Sequence, residues 1–337
     1  MDSFSVVFAI IALAVFGLTV IAERILIPIL RSHRVGQVIY DLGPRWHKNK
    51  EGVPTMGGIG FILPILLVMA GWFIVMGIRG ISSDYIPLAS VLIFGASNGA
   101  IGFVDDYCKL VKKQNEGLTA KQKLFLQLVI ASAYVCVMSY MGYMDTAFAL
   151  PFTNEEWELG WLWYPLAVLL LAGVVNGCNL TDGLDGLASS VTFIIGGFFA
   201  VWAFTLRDTA LSVVGAILLG ATFGFLVYNF HPAKVFMGDT GSLFLGAIVI
   251  SASFMMNEEF VGLIIAGVYV VEMLSSFLQT TFFKITKRIC RDKRGRRIFK
   301  MAPLHHHFEK CGWGEYAVVA LFSALAVLFC TLAWFSL

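Results

Sequence analysis

Five aspartates of this chain stand in settings where a carboxylate can do chemistry. Asp105 and Asp106 are neighbours in Gly102-Phe103-Val104-Asp105-Asp106-Tyr107, Asp182 and Asp185 lie in Asn179-Leu180-Thr181-Asp182-Gly183-Leu184-Asp185-Gly186, and Asp239 sits in Phe236-Met237-Gly238-Asp239-Thr240-Gly241-Ser242. Adjacent carboxylates disfavour each other's ionised form unless a cation intervenes, and a divalent metal removes that conflict. If a helix starts near Thr181 as its N-cap, Asp182 and Asp185 share one face, and the neighbouring glycines let backbone approach a ligand; plain helix capping is the simpler use of the same residues. A glycine turn entering a helix at 238–242 favours anions, because free N–H groups and the helix dipole point at them. Oxygen-only acids beside Lys50, Lys121 and Lys123 suit Mg²⁺ and a diphosphate better than zinc, whose structural sites use Cys and His. Together these are the parts of a phosphoryl-transfer site. Asp-Thr-Gly-Ser at 239–242 also occurs around aspartic-protease nucleophiles, so an intramembrane aspartyl protease is a rival; it needs two aspartates within spans and no metal.

The elements that position these groups follow from composition. Of 337 residues, 58% are hydrophobic and 14% charged, which excludes disordered, collagenous and ordinary soluble chains. A span needs about 20 apolar residues, and ten stretches qualify: 4–29, 56–77, 86–104, 124–142, 161–177, 187–205, 210–228, 242–256, 260–285 and 316–336. The expected fold is therefore an all-α polytopic membrane protein with ten transmembrane helices, one integral membrane domain over 1–337. Lys and Arg accumulate on the cytoplasmic side of membranes. Here 21 of the 24 fall in 30–55, 105–123, 229–241 and 284–315, against Arg79 and Arg207 in the other loops and Arg24 inside the first span. Both termini are thus expected outside the cytoplasm, with the five aspartates at the cytoplasmic surface. The N-terminal apolar run is too long for a signal h-region and is expected to remain as the first helix. The six cysteines form no CxxC pair and read as packing residues. Span eight, at 242–256, is expected to reach only about 22 Å, leaving Asp239 at or below the membrane surface. The basic stretch 287–300 is placed to attract anionic lipid headgroups, and nothing points to nucleic acid.

Polar residues inside spans are few and worth naming. Glu272 and Gln279, with Ser275 and Ser276 between them, form a polar stripe on one side of span nine; Asn98 shares a face with Asp105, and Asn229 with His231 ends span seven. Interhelical hydrogen bonding is their simplest use. Pro303-Leu304-His305-His306-His307-Phe308-Glu309 carries three of the six histidines. On an extended chain these alternate sides, so a three-imidazole metal site is disfavoured and contacts to phosphate or sugar are expected.

Pro54-Thr55-Met56-Gly57-Gly58, the Asp105-Asp106 pair, Asn179–Gly186, Phe236–Gly241 and Pro303–Glu309 together resemble the polyprenyl-phosphate N-acetylhexosamine 1-phosphate transferases. Within that superfamily the chain is similar to the phospho-N-acetylmuramoyl-pentapeptide transferases, from about residue 24 to the C-terminus. The triple histidine and Pro-Thr-Met-Gly-Gly separate them from relatives that use UDP-N-acetylglucosamine. The resemblance implies ten membrane helices in the bacterial plasma membrane, a homodimer, and Mg²⁺-dependent transfer from UDP-N-acetylmuramoyl-pentapeptide to undecaprenyl phosphate, giving lipid I and UMP. It implies Asp105 and Asp106 as the acidic pair and Asp239 as a Mg²⁺ ligand, with Asp105 or Asp182 as further ligands. Lys50, Thr55, Lys121, Asn179, Asp182, Asp185, Asn229, Gln279, His305, His306 and His307 would contact substrate, and Phe236 would stack on uracil. Two routes fit the acidic pair: activation or positioning of the lipid phosphate by Asp106 or Asp105, and a covalent phospho-aspartate. Ten spans with a basic face would also serve an anionic-lipid transporter, although the lysine-free loop 179–186 argues against an anion pathway there.

Overall fold

The computed structural model describes residues 3–32, 52–80, 85–112, 117–153, 155–289 and 294–337. Twelve helices carry the chain among these residues: α1 (Ser3–Ser32), α2 (Ile59–Ile78), α3 (Ile86–Lys112), α4 (Ala120–Tyr140), α5 (Trp163–Thr181), α6 (Leu187–Leu206), α7 (Thr209–Asn229), α8 (Gly238–Met255), α9 (Glu259–Ile265), α10 (Gly267–Ile289), α11 (Leu304–Lys310) and α12 (Glu315–Trp334). Nine of them are long and apolar enough to cross a membrane. A short antiparallel hairpin, β1 (Ala147–Ala149) with β2 (Glu156–Glu158), joins α4 to α5 in the register Phe148 opposite Trp157. Its Phe148 stacks on Trp163 at 5.3 Å and meets Phe260 at 4.5 Å between ring centres, closing one end of the helix bundle.

Local chemistry sets several of the helix ends. Thr119 opens α4 through a reciprocal capping box: its hydroxyl accepts from the Gln122 N–H at 3.3 Å, and Gln122 Oε1 accepts from the Thr119 N–H at 3.0 Å, which satisfies two otherwise free donors. Asp208 caps α7 by accepting from the Leu211 N–H at 2.7 Å. Gly186, at φ +74°, takes the left-handed conformation that turns the chain into α6, where a side chain would be strained.

Three of the expected elements differ. The 260–285 span is broken: α9 and α10 meet at an angle of 79° around Ala266. At the break, the Cα of Gly267 lies so close to the Phe329 ring of α12 that a Cβ there would overlap it, at 2.5 Å. The ninth apolar stretch is therefore a bent pair and not one rod. Residue Thr181 ends α5 instead of starting α6, so 182–186 forms a tight connection between the two helices. Helix α8 begins at Gly238, four residues earlier than expected; its 18 residues extend about 27 Å, and Asp239 lies in its first turn.

The α8 helix is the centre of the bundle, buried without interruption from Thr240 to Phe254, with α3 and α5 packed along it. It is apolar on every side, as a helix with neighbours all round must be. Close approach comes from small residues. Gly95, Gly99 and Gly102 form one stripe of α3: a Cβ on Gly95 would overlap Ile248, one on Gly99 would meet Phe244 Cβ at 3.3 Å, and one on Gly102 would overlap the Asp239 carbonyl. Across α8, a Cβ on Gly246 would lie 2.7 Å from Cys178 of α5. Small faces of this kind let helices in lipid gain dispersion contact without large side chains.

Gly102→Ala should push α3 away from the Asp239 backbone and cost about 1–3 kcal/mol, whereas Gly71→Ala, with open space around its Cα, should stay within about 0.5 kcal/mol of the parent. Thermal unfolding of the purified proteins in detergent reads both, and equal melting temperatures would contradict the close-packed seam.

Candidate active site

The last turns of α3 deliver Asp105 and Asp106 to the start of α8. Asp106, 3% exposed, serves as the cap that α8 lacks in its own sequence. Its Oδ2 accepts from the Thr240 N–H at 3.0 Å and the Thr240 hydroxyl at 2.8 Å, and its Oδ1 accepts from the Asp239 N–H at 3.3 Å. Helix N-termini carry unsatisfied N–H groups and partial positive charge, and a carboxylate answers both. Gly238, at φ +70°, makes room: a Cβ there would stand 2.5 Å from Asp106 Oδ2 and 2.8 Å from the Thr55 hydroxyl. The Pro54–Gly58 segment is tied alongside, the Phe236 N–H donating to the Pro54 carbonyl at 2.8 Å and the Gly57 N–H to the Phe236 carbonyl at 2.9 Å.

Asp105, Asp106 and Asp239 come together so that one oxygen from each lies within 4.8 Å of the others. Two ammonium groups enter this space. Lys109 Nζ stands 2.6 Å from Asp105, 3.1 Å from Asp239 and 3.5 Å from Asp106, and Lys123 Nζ 2.5 Å from Asp239 and 3.4 Å from Asp105. Asn179 donates to Asp239 Oδ1 and to the Ser242 hydroxyl, both at 2.8 Å, and the Leu118 N–H donates to Asp105 Oδ1 at 2.8 Å. Of the three acids, Asp239 is the accessible one, its side chain 17% exposed against 1% and 3%. Three carboxylates this close demand positive charge between them, and the lysines supply it in this state. An all-oxygen donor set fits Mg²⁺. The half-exposed Lys109, at 34%, has solvent into which its ammonium can turn.

The other residues expected from sequence divide into neighbours of this cluster and residues engaged elsewhere. Thr55 and Asn179 are neighbours. Asp182, expected among the metal ligands, instead follows the last turn of α5 and is not a member of the carboxylate cluster. Asp185 forms a second group: it accepts from the Ala233 N–H at 3.0 Å and meets His231 Nδ1 at 2.9 Å, with Glu315 3.5 Å from the same nitrogen. Asn229 is buried and accepts from the Gly186 N–H and the Ser189 hydroxyl while donating to the Val235 carbonyl. Gln279 clasps the backbone of Ile298 and Phe299. Phe236 is half-buried and Lys121 is exposed; Lys50 lies outside the described residues.

The triple histidine is helical, not extended, and its members diverge. His305 is fully buried with Nδ1 3.0 Å from Glu272, His306 meets Glu309 at 2.7 Å, and His307 Nδ1 accepts from the Lys300 N–H at 3.0 Å. Lys109, Thr240 and Ser242 were not singled out from the sequence. Lys109 had a local signal, since a lysine four residues after Asp105 shares its face of a helix.

Residues 88–257 match the family described as Glycosyl transferase family 4. The phospho-N-acetylmuramoyl-pentapeptide-transferase of Halalkalibacterium halodurans is 43% identical over 94% of both chains. That of Bacillus subtilis is 42% identical over 94% of each, and that of Clostridium acetobutylicum 41% over 96% of each.

Thr240→Val should cost about 1–2 kcal/mol, because a buried carboxylate oxygen loses a donor, while Lys121→Ala should change stability by less than about 0.5 kcal/mol. Chemical or thermal unfolding of the two variants measures the difference, and an unaffected Thr240→Val would show that the hydroxyl bond to Asp106 adds nothing to the backbone cap of α8.

Proposed function

This chain belongs to the phospho-N-acetylmuramoyl-pentapeptide-transferase family, and from that premise we propose that Asp239, Asp105 and their lysines form the transfer site for its two phosphate-bearing substrates. The reaction moves phospho-N-acetylmuramoyl-pentapeptide from its UDP carrier to undecaprenyl phosphate, giving lipid I and UMP for the bacterial cell wall. One partner is water-soluble and the other lipid-anchored, so we place the chemistry at the cytoplasmic membrane surface, with both termini on the opposite side. The chain acts as one integral domain and as a homodimer in this reading.

The observation that carries it is the convergence of three carboxylates and two lysines at the start of a buried helix. We assign Mg²⁺ to Asp239; when bound it would supply charge neutralisation to the diphosphate as UMP departs. Lys109 and Lys123 then release the carboxylates and turn to phosphate oxygens, exchanging one set of charge-assisted contacts for another. Asp106 is committed to the N–H and O–H donors of residues 239–240, so its role is to hold Asp239 in place. Asp105 is the group left to orient the lipid phosphate and take its proton. The loop Asn179–Gly186 and α11 bound the same face through Asn179 and His305, which supports substrate contacts there.

Purified protein given undecaprenyl phosphate, Mg²⁺ and either UDP-N-acetylmuramoyl-pentapeptide or UDP-N-acetylglucosamine should release UMP with the first donor only, and a chelator should stop it. Asp239→Asn should lower the rate by at least about 100-fold with the protein still folded. Chelator-resistant turnover, or an Asp239→Asn variant of parental rate, would sink the metal assignment. Recovery of a labelled phospho-enzyme would replace the direct route by a covalent one.

A further inference from the structure

Helix α10 outlasts the packing that holds its first half. Its buried residues stop at Ser275, and none of the 14 residues from Ser276 to Ile289 is buried. On one side of this arm the chain returns along it. Gln279 Oε1 accepts from the Ile298 N–H at 3.0 Å and the Phe299 N–H at 3.1 Å, its Nε2 donates to the Phe299 carbonyl at 3.1 Å, and the Arg296 N–H donates to the Thr286 hydroxyl at 2.8 Å. Gly295 lies so close to the Phe283 ring that a Cβ on it would overlap the ring. Another side carries an exposed apolar stripe, Leu274, Leu278, Phe282, Ile285 and Ile289, spaced at three or four residues as one helix face requires. The stripe runs to the last residue of the helix, where Ile289 is 77% exposed.

Positive charge stands beside this stripe. Nine of the 17 residues from 284 to 300 are Lys or Arg and one is acidic. Lys287 and Arg288 in the last turn of α10, and Arg294, Arg296 and Arg297 in the returning segment, are all exposed. Span orientation asks only that such charge lie in the loop. It does not ask that the loop be folded back and tied by four hydrogen bonds beside an apolar stripe. A helix with hydrocarbon side chains on one face and cations on another settles in the interface of a bilayer, where anionic headgroups attract each cation and phosphate oxygens accept from guanidinium groups. We propose that the end of α10 and segment 294–300 form a docking surface for anionic phospholipids of the surrounding bilayer, the isoleucines entering the acyl boundary and the basic side chains taking headgroup phosphates. Bulk lipid is the occupant because the cations are exposed and spread along the arm, and none belongs to the carboxylate cluster. The inference stands apart from the transferase reading, since it concerns binding without turnover.

Full-length protein in an uncharged detergent, titrated with phosphatidylglycerol or phosphatidylcholine and read by native mass spectrometry, tests it. The parent should bind phosphatidylglycerol at least about 10-fold more tightly than phosphatidylcholine. Arg288→Gln/Arg296→Gln, which keeps the backbone clasps, should lower phosphatidylglycerol affinity at least about 10-fold, at about 5-fold per charge removed, and leave phosphatidylcholine unchanged. Arg79→Gln/Arg207→Gln removes the same charge from other loops and should leave phosphatidylglycerol affinity within about 2-fold of the parent. Equal parental affinity for the two lipids overturns the proposal, as does parental phosphatidylglycerol affinity in Arg288→Gln/Arg296→Gln. An equal loss in Arg79→Gln/Arg207→Gln overturns it too, because net charge would then suffice. A loss seen only with undecaprenyl phosphate would overturn it in favour of a substrate path. Should Arg288→Gln/Arg296→Gln fail to fold, Lys284→Gln/Lys287→Gln must show the same loss of phosphatidylglycerol, and parental affinity there is equally fatal. The titration contains neither UDP-linked donor nor Mg²⁺, so failure of the transferase reading would leave its outcome untouched.

Discussion

The contact between the Asp106 carboxylate and the N-terminus of α8 is the constraint from which the site follows. A central helix buried from Thr240 onward leaves little solvent for its first N–H groups, and Met237, at its N-cap, offers no side-chain acceptor. A carboxylate from α3 supplies the acceptor across a sequence distance of 134 residues. That bond needs the two helices close together, which the Gly95, Gly99 and Gly102 stripe permits. Once it is made, Asp239 in the first turn of α8 must stand beside Asp105, and the acidic cluster is the geometrical result.

Charge compensation then organises the surrounding elements. Lys109 comes from the same helix as the acidic pair, one turn on, while Lys123 is brought by α4 after its Thr119 capping box restarts the helix. Glu272 is hydrogen-bonded by His305, which joins α11 to α10, and Asp185 by His231 and the Ala233 N–H, which join the loop after α7 to the start of α6. Each of these acids therefore carries a tertiary connection, because an unpaired one would cost more than the connection gains. Substrate phosphate is a natural competitor for such lysines, since it offers the same oxygen chemistry with more charge.

The apolar spans were legible from composition, because a lipid-facing helix must satisfy its backbone internally and cover itself with hydrocarbon. The acidic motifs were legible too, as scarce charges in an apolar chain. What local pattern missed were interruptions and partners. The α9–α10 bend leaves the apolar run intact, and at it the Phe329 ring lies against Gly267, a contact between distant residues. The histidines read as an extended run, yet α11 turns them in three directions. The backbone groups that hold Gln279 and Asn229 come from other segments of the chain, which a local pattern does not show.

By itself, then, the amino-acid sequence determined the membrane class, the scarce carboxylates and the family resemblance, because hydropathy, charge and short motifs are properties of neighbouring residues. Only the tertiary structure decided which acid caps a helix, which meets lysine and which is left accessible. Those roles depend on the distance between groups far apart in the chain, and that distance is set by helix packing. Asp105 and Asp106 are adjacent and chemically identical in sequence. Packing gives one of them two ammonium groups and the other the N-terminus of α8.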